Sequence, residues 1–564
     1  MKQQGFLLGS VILVASVVIT KILGLAFKIP LANMTGGTGM GYYSCAFAVF
    51  MPVYAVAVSG IPSAMARMTA ENMAFGRYRN VRRLRRAAMV FFTGAGVVFS
   101  VLLIALAYPL CKYVVNEPNA FLSVVAVAPC VLLGAVMAVQ RGYFEGMRNM
   151  IPTAVSEIVE SVFRMLLGLG AAYAAVKIGM HTFSENGMVF GTTPENAEKA
   201  RLAVIPFAVA ASVFGVTIAH AASCLCLVIF SKAGGNGIPD ALVEADPCAE
   251  RMRTLLKKLI LLMIPIAVAS VISTISGIVD LVTINRCLKV ALKLGGDVMA
   301  RSFAGVLPDG AGQGMLPNFI YGSYAGLAMT VFGLVPSLTA MFGKSVLPGI
   351  SESWAVHNTT RLKKNLNAVL FATTLTALPC GLGISVLSRE ILSLLFAGRP
   401  AEVAVSVRPL AVLGVGVVFL CIAAPMFAVL QAIGRPDLPV KITLAASLVK
   451  LAANLLLIPL PRLNITGAAI ATTLTYALIA VWSLIEIRRL TKIKLDAAKI
   501  FIKPAIAAFL CTASAYLVNN GLENALNSQM RLLAALISSG IIYIISLIAL
   551  GVVTKNEWKA LFPR

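Results

Sequence analysis

The sequence has little of what enzymes use to build a site. Only 12% of its 564 residues are charged, and only three are histidine. It contains no Walker A loop, which excludes ATP hydrolysis within the chain, no HExxH pair and no nucleophile elbow. Three histidines are too few for acid–base chemistry, and none stands in a metal-ligand pattern, so no metal and no cofactor is expected. The ten cysteines form no CxxC and lie mostly inside apolar runs, where they serve as small packing residues. Acidic residues are also scarce: 23 Asp and Glu stand against 47 Lys and Arg, giving a net charge of +24. In a soluble protein that balance would suggest nucleic acid. Here 59% of the residues are hydrophobic and the mean hydropathy is +0.89. A soluble exterior cannot absorb so much apolar surface, so the partner is a bilayer and not nucleic acid.

The abundant feature is the long apolar run. A spanning helix needs about 20 mainly apolar residues. Runs of that length fall near 7–32, 42–65, 87–111, 120–141, 152–177, 202–230, 257–283, 317–341, 366–388, 404–431, 439–459, 464–486, 499–519 and 531–553. The expected fold is an all-α polytopic membrane protein of about 14 transmembrane helices. The first run is read as a retained spanning helix, because Lys21 interrupts it and no small-x-small cleavage site follows. With the N-terminus in the cytoplasm, the inside segments hold 30 Lys and Arg and the outside loops 13. The positive-inside rule then puts both termini in the cytoplasm of a multi-pass protein of the bacterial cell membrane. The run RYRNVRRLRR at 77–86 contributes most to this asymmetry, and Arg141 and Arg148 are counted with the inside loops. Topology accounts for the basic run; contact with anionic headgroups is the alternative.

The halves repeat. SGIPSAMARMTAEN (59–72) aligns with SVLPGISESWAVHN (345–358) at an offset of 286, with Pro62 on Pro348. FEGMRNMIPTAV (144–155) aligns with LQAIGRPDLPVKI (430–442), and ASVVIT (15–20) with ASVIST (269–274). The extra residues of the second copy are expected in an outside loop from Asn285 to Leu316. A six-helix unit repeated in one orientation implies two pseudo-symmetric lobes related by an axis along the membrane normal, enclosing a cavity with alternating access. The expected domains are residues 1–230 and 257–486 as lobes, 231–256 as a cytoplasmic linker, and 487–564 as two further transmembrane helices with a cytoplasmic tail. Pro62, Pro348, Gly24 and Pro265 are hinge candidates, because Pro in a spanning helix frees a carbonyl and permits a kink. Static packing is the competing account.

Charges inside spanning runs are costly and ask for a reason. Lys21, Arg164 and Lys450 lie mid-run, and Lys450 falls within one residue of the repeat-equivalent of Arg164. Lys28 lies nearer an end, where it can snorkel. Fixed positive charge in a cavity selects anions, and Arg or Lys suits phosphate. Glu157, Glu160 and Arg164 share a helix face, and Glu160 can pair with Arg164 at i,i+4. Asp280 lies late in the seventh run. Glu157, Glu160 and Asp280 are candidates for ion pairing or coupling. Glu160 either neutralises Arg164 or holds it ready for a phosphate. His220 reads as a satisfied interior histidine.

TKILGLAFKIPLANMTGGTGMGYY (20–43), SGIPSAMARMTAEN, RGYFEGMRNMIPTAVSEIVESVFR (141–164) and SVLPGISE (345–352) resemble the multidrug/oligosaccharidyl-lipid/polysaccharide exporter superfamily. The resemblance is to its polysaccharide-biosynthesis branch, in the stage V sporulation protein B and lipid II flippase groups. It implies a 14-helix fold and a flippase, not an enzyme, carrying an undecaprenyl-pyrophosphate-linked oligosaccharide or peptidoglycan precursor to the outer leaflet. It also puts Lys21 where lipid II flippases carry a functional arginine, and Phe27 and Lys28 where they carry an Arg-Asp pair. The expected partners are the lipid-linked glycan, the bilayer, cell-wall synthesis enzymes, and a coupling ion or the membrane potential. The alternatives are a cation-coupled multidrug exporter of the same superfamily and a non-transport scaffold for those enzymes.

Overall fold

A computed structural model describes residues 6–233, 238–244, 246, 250–302, 315–493, 495–523, 525 and 527–552. Among these residues the chain is helical throughout and forms no strand; one isolated bridge joins Val189 and Thr192. An apolar medium offers the backbone no partners, and a helix satisfies its own N–H and C=O groups. Among the described residues, twelve helices are long and apolar enough to cross a membrane. Two local features account for the difference from the expected fourteen. The first two expected spans form one helix, α1 (Phe6–Ala57), broken at Gly36, where φ is 67°. An L side chain rarely tolerates that angle, so glycine sets the break. The expected span 317–341 is divided among α10 (Leu316–Ser323), α11 (Met329–Phe332) and α12 (Leu334–Ala355).

Contacts divide the chain into two units. The first comprises residues 1–285 and 308–322, the second 286–307 and 323–564. The boundary falls at Asn285, inside the long helix α9 (Met252–Ser302). The helix continues past Asn285, with a break at Gly295, so the expected outside loop does not begin at Asn285. Gly310, Gly312 and Gly314 lie outside the described residues.

The first unit contains α1, α2 (Ile61–Ala74), α3 (Tyr78–Pro109), α4 (Phe121–Val127), α5 (Pro129–Gly146), α6 (Ile151–Asn186), α7 (Ala197–Ala233) and the short α8 (Asp240–Glu244). Helices α6 and α7 approach to backbone contact. A Cβ built on Gly215 would lie 2.6 Å from the Cα of Gly168. Short α10 is tied to α1, since the Asn318 amide donates to the carbonyl of Thr38 (3.2 Å).

The second unit contains α12, α13 (Thr359–Val386), α14 (Ser388–Leu395), α15 (Pro400–Ala432), α16 (Asp437–Leu457), α17 (Ile465–Thr491), α18 (Lys503–Gly521) and α19 (Ser528–Ala549). Its core is built on Leu366, Leu370, Met426, Leu430, Ile442 and Ala446. The two final helices dock on α13 and α14. Tyr543 Oη donates to the Leu375 carbonyl (2.8 Å), and the Asn519 amide donates to Glu390 Oε1 (2.8 Å).

Local geometry repeats between the units. After α5, Met147 N–H donates to the Tyr143 carbonyl and Asn149 N–H to that of Phe144, with Arg148 at φ 58°. After α15, Ile433 N–H donates to Val429 and Arg435 N–H to Leu430, with Gly434 at φ 82°. These are the same left-handed turn, 286 residues apart. The preceding turns give another register. Arg77 N–H donates to Asn72 with Gly76 at φ 69°, and Asn358 N–H donates to Ser353 with His357 at φ 52°. That offset is 281, so Asn358 corresponds to Arg77 and not to Asn72. The letter match that pairs Pro62 with Pro348 is five residues out of step with this turn, because backbone hydrogen bonding fixes register where short apolar motifs do not.

Candidate functional site

The polar interior of the first unit is built on α6. Glu157, Glu160 and Arg164 stand at i, i+3 and i+7, and such spacing aligns side chains on one helical face. α6 packs against α7 through the Gly168–Gly215 approach and against α1, whose Phe27 meets Gly168. Those contacts fix which way the polar face looks. Glu160 divides its two oxygens between two guanidiniums. Oε1 accepts from Arg164 (2.5 Å), and Oε2 accepts from Arg141 on α5 (3.1 Å). The Glu160 side chain is 12% exposed, so both contacts are made in a poorly solvated setting.

Arg141 is held from three sides. Its Nε donates to Ser156 Oγ (3.0 Å), and its terminal nitrogen donates also to Ser223 Oγ (3.1 Å). Each hydroxyl spends its own proton on a carbonyl: Ser156 on Thr153 (2.8 Å) and Ser223 on Ser156 (3.0 Å). Their lone pairs are thereby turned to the guanidinium, which has donors only. His220 on α7 places Nδ1 3.0 Å from the Val216 carbonyl and Nε2 3.9 Å from Glu160. It is therefore a buried interior histidine, with its free edge toward the carboxylate. Glu157 accepts from Ser16 Oγ of α1 (3.0 Å).

Lys28 is half-buried on α1, within electrostatic reach of both Lys21 and Arg164. Lys21 is exposed, two turns earlier on the same face. Two guanidiniums thus share Glu160, and Lys28 lies within electrostatic reach of one of them. One donor of Arg164 is left over: Nε is buried and makes no hydrogen bond among the described residues. A buried unsatisfied donor costs about 1–3 kcal/mol.

The remaining candidates lie elsewhere. Lys450 is in the second unit, on α16, and only 2% exposed. Asp280 is half-buried on α9. Pro62 sits in the first turn of α2, where the missing N–H frees no carbonyl, so it makes no kink. Pro265 lies inside α9 and Pro348 inside α12, and Gly24 has open space where a Cβ would stand. The helix break in this part of the chain is at Gly36, which the sequence reading passed over although GGTG marks it.

Sequence reasoning also missed Arg141. It stands at the end of an apolar run, where the positive-inside rule absorbs it as a loop charge. The spacing of Gln140 and Arg141 on α5 gave no sign of Ser156, Glu160 and Ser223, which are distant in sequence.

Two family models match the chain. "Polysaccharide biosynthesis protein" matches residues 6–180, and "Lipid II flippase MurJ" matches residues 322–535. The chain is similar to stage V sporulation protein B of Bacillus subtilis (strain 168), at 23% identity over 99% of this chain and 98% of that protein. It is similar to the lipid II flippase MurJ of the same organism, at 20% identity over 85% of this chain and 82% of that one. Among solved structures, the lipid II flippase MurJ in an inward closed conformation superposes with a TM-score of 0.63 at 13% identity, covering 96% of this chain and 98% of that one. An inward-facing multidrug-resistance MATE-family transporter superposes with a TM-score of 0.61 at 13% identity, over 86% of this chain and 99% of that one. The helical fold, the two matched models and the full-length relatives together support a multi-pass membrane protein similar to the polysaccharide-biosynthesis and flippase proteins of the multidrug/oligosaccharidyl-lipid/polysaccharide exporter superfamily.

Proposed function

We propose that the protein flips an undecaprenyl-pyrophosphate-linked oligosaccharide or peptidoglycan precursor across the cytoplasmic membrane by alternating access, both termini lying in the cytoplasm. The observation that carries this reading is the pair of guanidiniums on Glu160: Arg141 and Arg164 share that one carboxylate, Lys28 lies within electrostatic reach of Arg164, and Arg164 Nε makes no hydrogen bond among the described residues. A pyrophosphate entering this setting replaces carboxylate contacts with stronger charge-assisted ones, and Arg offers it a two-pronged fork. Glu160 then holds the two guanidiniums apart and oriented while the site is empty, and releases them to the phosphate. The membrane potential or a coupled ion drives the cycle, with the glycan crossing in water and the lipid tail remaining in the bilayer.

A drug exporter for cations needs available carboxylates. Glu160 is committed to two arginines and Glu157 accepts from Ser16, which disfavours that reading. The test is the Lys21→Ala/Arg164→Ala double variant, assayed for translocation of lipid-linked precursor with membrane insertion as control. The expected result is normal insertion with translocation abolished. Normal flipping by that variant would sink the proposal.

A further inference from the structure

A second basic site lies in the first unit, away from the Glu160 network. The run RYRNVRRLRR opens α3, and Arg82, Arg85 and Arg86 stand at i, i+3 and i+4 on one face of it. They line a cavity of about 190 Å³ together with Gln140 and Tyr143 of α5. Ile238 and Val243, at and before α8, close it from the linker side and are themselves buried. The positive-inside rule explains why arginines are on this end of the molecule; it does not explain why three line one cavity.

The site is organised. The Arg85 guanidinium lies 4.4 Å from the Tyr143 ring centroid and donates to Gln140 Oε1 (2.7 Å) and Ser231 Oγ (2.5 Å). Its plane is therefore fixed before any ligand arrives. The described lining includes no carboxylate. Asp246 accepts from the Arg79 backbone N–H (2.9 Å), and Glu250 pairs with Lys258 (2.7 Å) and Arg77 (3.8 Å). The volume is below the roughly 300–1,000 Å³ of pockets for drug-sized ligands, so it suits one compact anionic group. Planar guanidiniums match phosphate oxygens in pairs.

We propose that the cavity framed by Arg82, Arg85 and Arg86 binds a phosphate group, carried by an anionic lipid headgroup or supplied as free phosphate. This goes beyond the flippase reading and does not depend on it, because the test reads binding in a protein that is not turning over.

Purified full-length protein is titrated with phosphatidylglycerol in mixed micelles, with phosphatidylcholine as the uncharged comparison, and separately with inorganic phosphate; thermal stability is the readout. The expected result is stabilisation by phosphatidylglycerol or phosphate but not by phosphatidylcholine. The Arg82→Ala/Arg86→Ala variant should then shift the titration midpoint by roughly tenfold per arginine. Arg77→Ala, in the same run but outside the cavity, should leave the midpoint in place. Response to phosphatidylglycerol alone assigns a headgroup; response to inorganic phosphate assigns a free ion. Identical titrations of parent and double variant would overturn the proposal, as would an equal loss in Arg77→Ala, which signifies general surface charge. Arg85 is left intact because it anchors Gln140 and Ser231. Should the double variant fail to fold, Arg86→Gln alone, an exposed position, carries the same comparison.

Discussion

Arg141 illustrates how one side chain organises a membrane interior. It reaches three side chains on two other helices: Ser156 and Glu160 on α6 and Ser223 on α7. Lysine keeps the charge but not the fork, since an ammonium cannot place donors along the two directions that Ser156 and Glu160 occupy. Arg141→Lys is therefore expected to insert normally yet translocate poorly, while Arg141→Ala also loses stability. Removing one partner of a buried pair costs about 3–5 kcal/mol. Glu160 keeps Arg164, so the lower end of that range is expected. Thermal melting in detergent, set beside a translocation assay, separates the two effects. Full translocation by Arg141→Lys would show that charge alone matters there.

Helix packing sets the geometry in which these residues meet. Gly215 of α7 faces the backbone of Gly168 and Leu167 on α6, and a Cβ at Gly215 would lie 2.6–2.8 Å from those atoms. Backbone cannot rotate away as a side chain can. Gly215→Val is expected to push α6 and α7 apart, destabilising the protein by about 1–3 kcal/mol, the usual range for overpacking. It should also impair translocation, because Arg164 lies one turn from Gly168 and Ser223 lies on α7. The comparison substitution is Gly170→Ala, also on α6 but with open space at its Cβ. Melting temperature should fall for the first variant and hold for the second; equal behaviour would mean that the close approach is not needed.

For the molecule as a whole, the charge asymmetry has a direct consequence in labelling experiments. The segment between α6 and α7, with exposed Glu195, should face outward, and the turn between α15 and α16, with exposed Arg435, should face the cytoplasm. In a Cys380→Ser background, which removes an exposed native thiol, an impermeant maleimide should label Glu195→Cys in intact cells. Arg435→Cys should be labelled only after permeabilisation. The reverse pattern would invert the proposed direction of transport. The repeat also operates at this level: the α5–α6 and α15–α16 turns share one backbone geometry although one uses Arg148 and the other Gly434 in the left-handed position.

Sequence alone determined the class. Nothing but a bilayer accommodates long runs of such hydropathy, and a spanning run has few backbone choices other than helix. It also determined the duplication and the Glu160–Arg164 pair, since i,i+4 spacing on a helix is a local property. What only the tertiary structure decided was everything that depends on approach between distant segments. Arg141 joins the network because α5 ends beside α6 and α7. Lys450, the expected counterpart of Arg164, is buried on α16 of the second unit. The break at Gly36 depends on a single φ angle, and the register of the turns before α3 and α13 depends on hydrogen bonds; composition encodes neither. Local periodicity is written into the order of residues, whereas contacts between helices arise from which faces pack, and similar apolar faces leave that choice to fit.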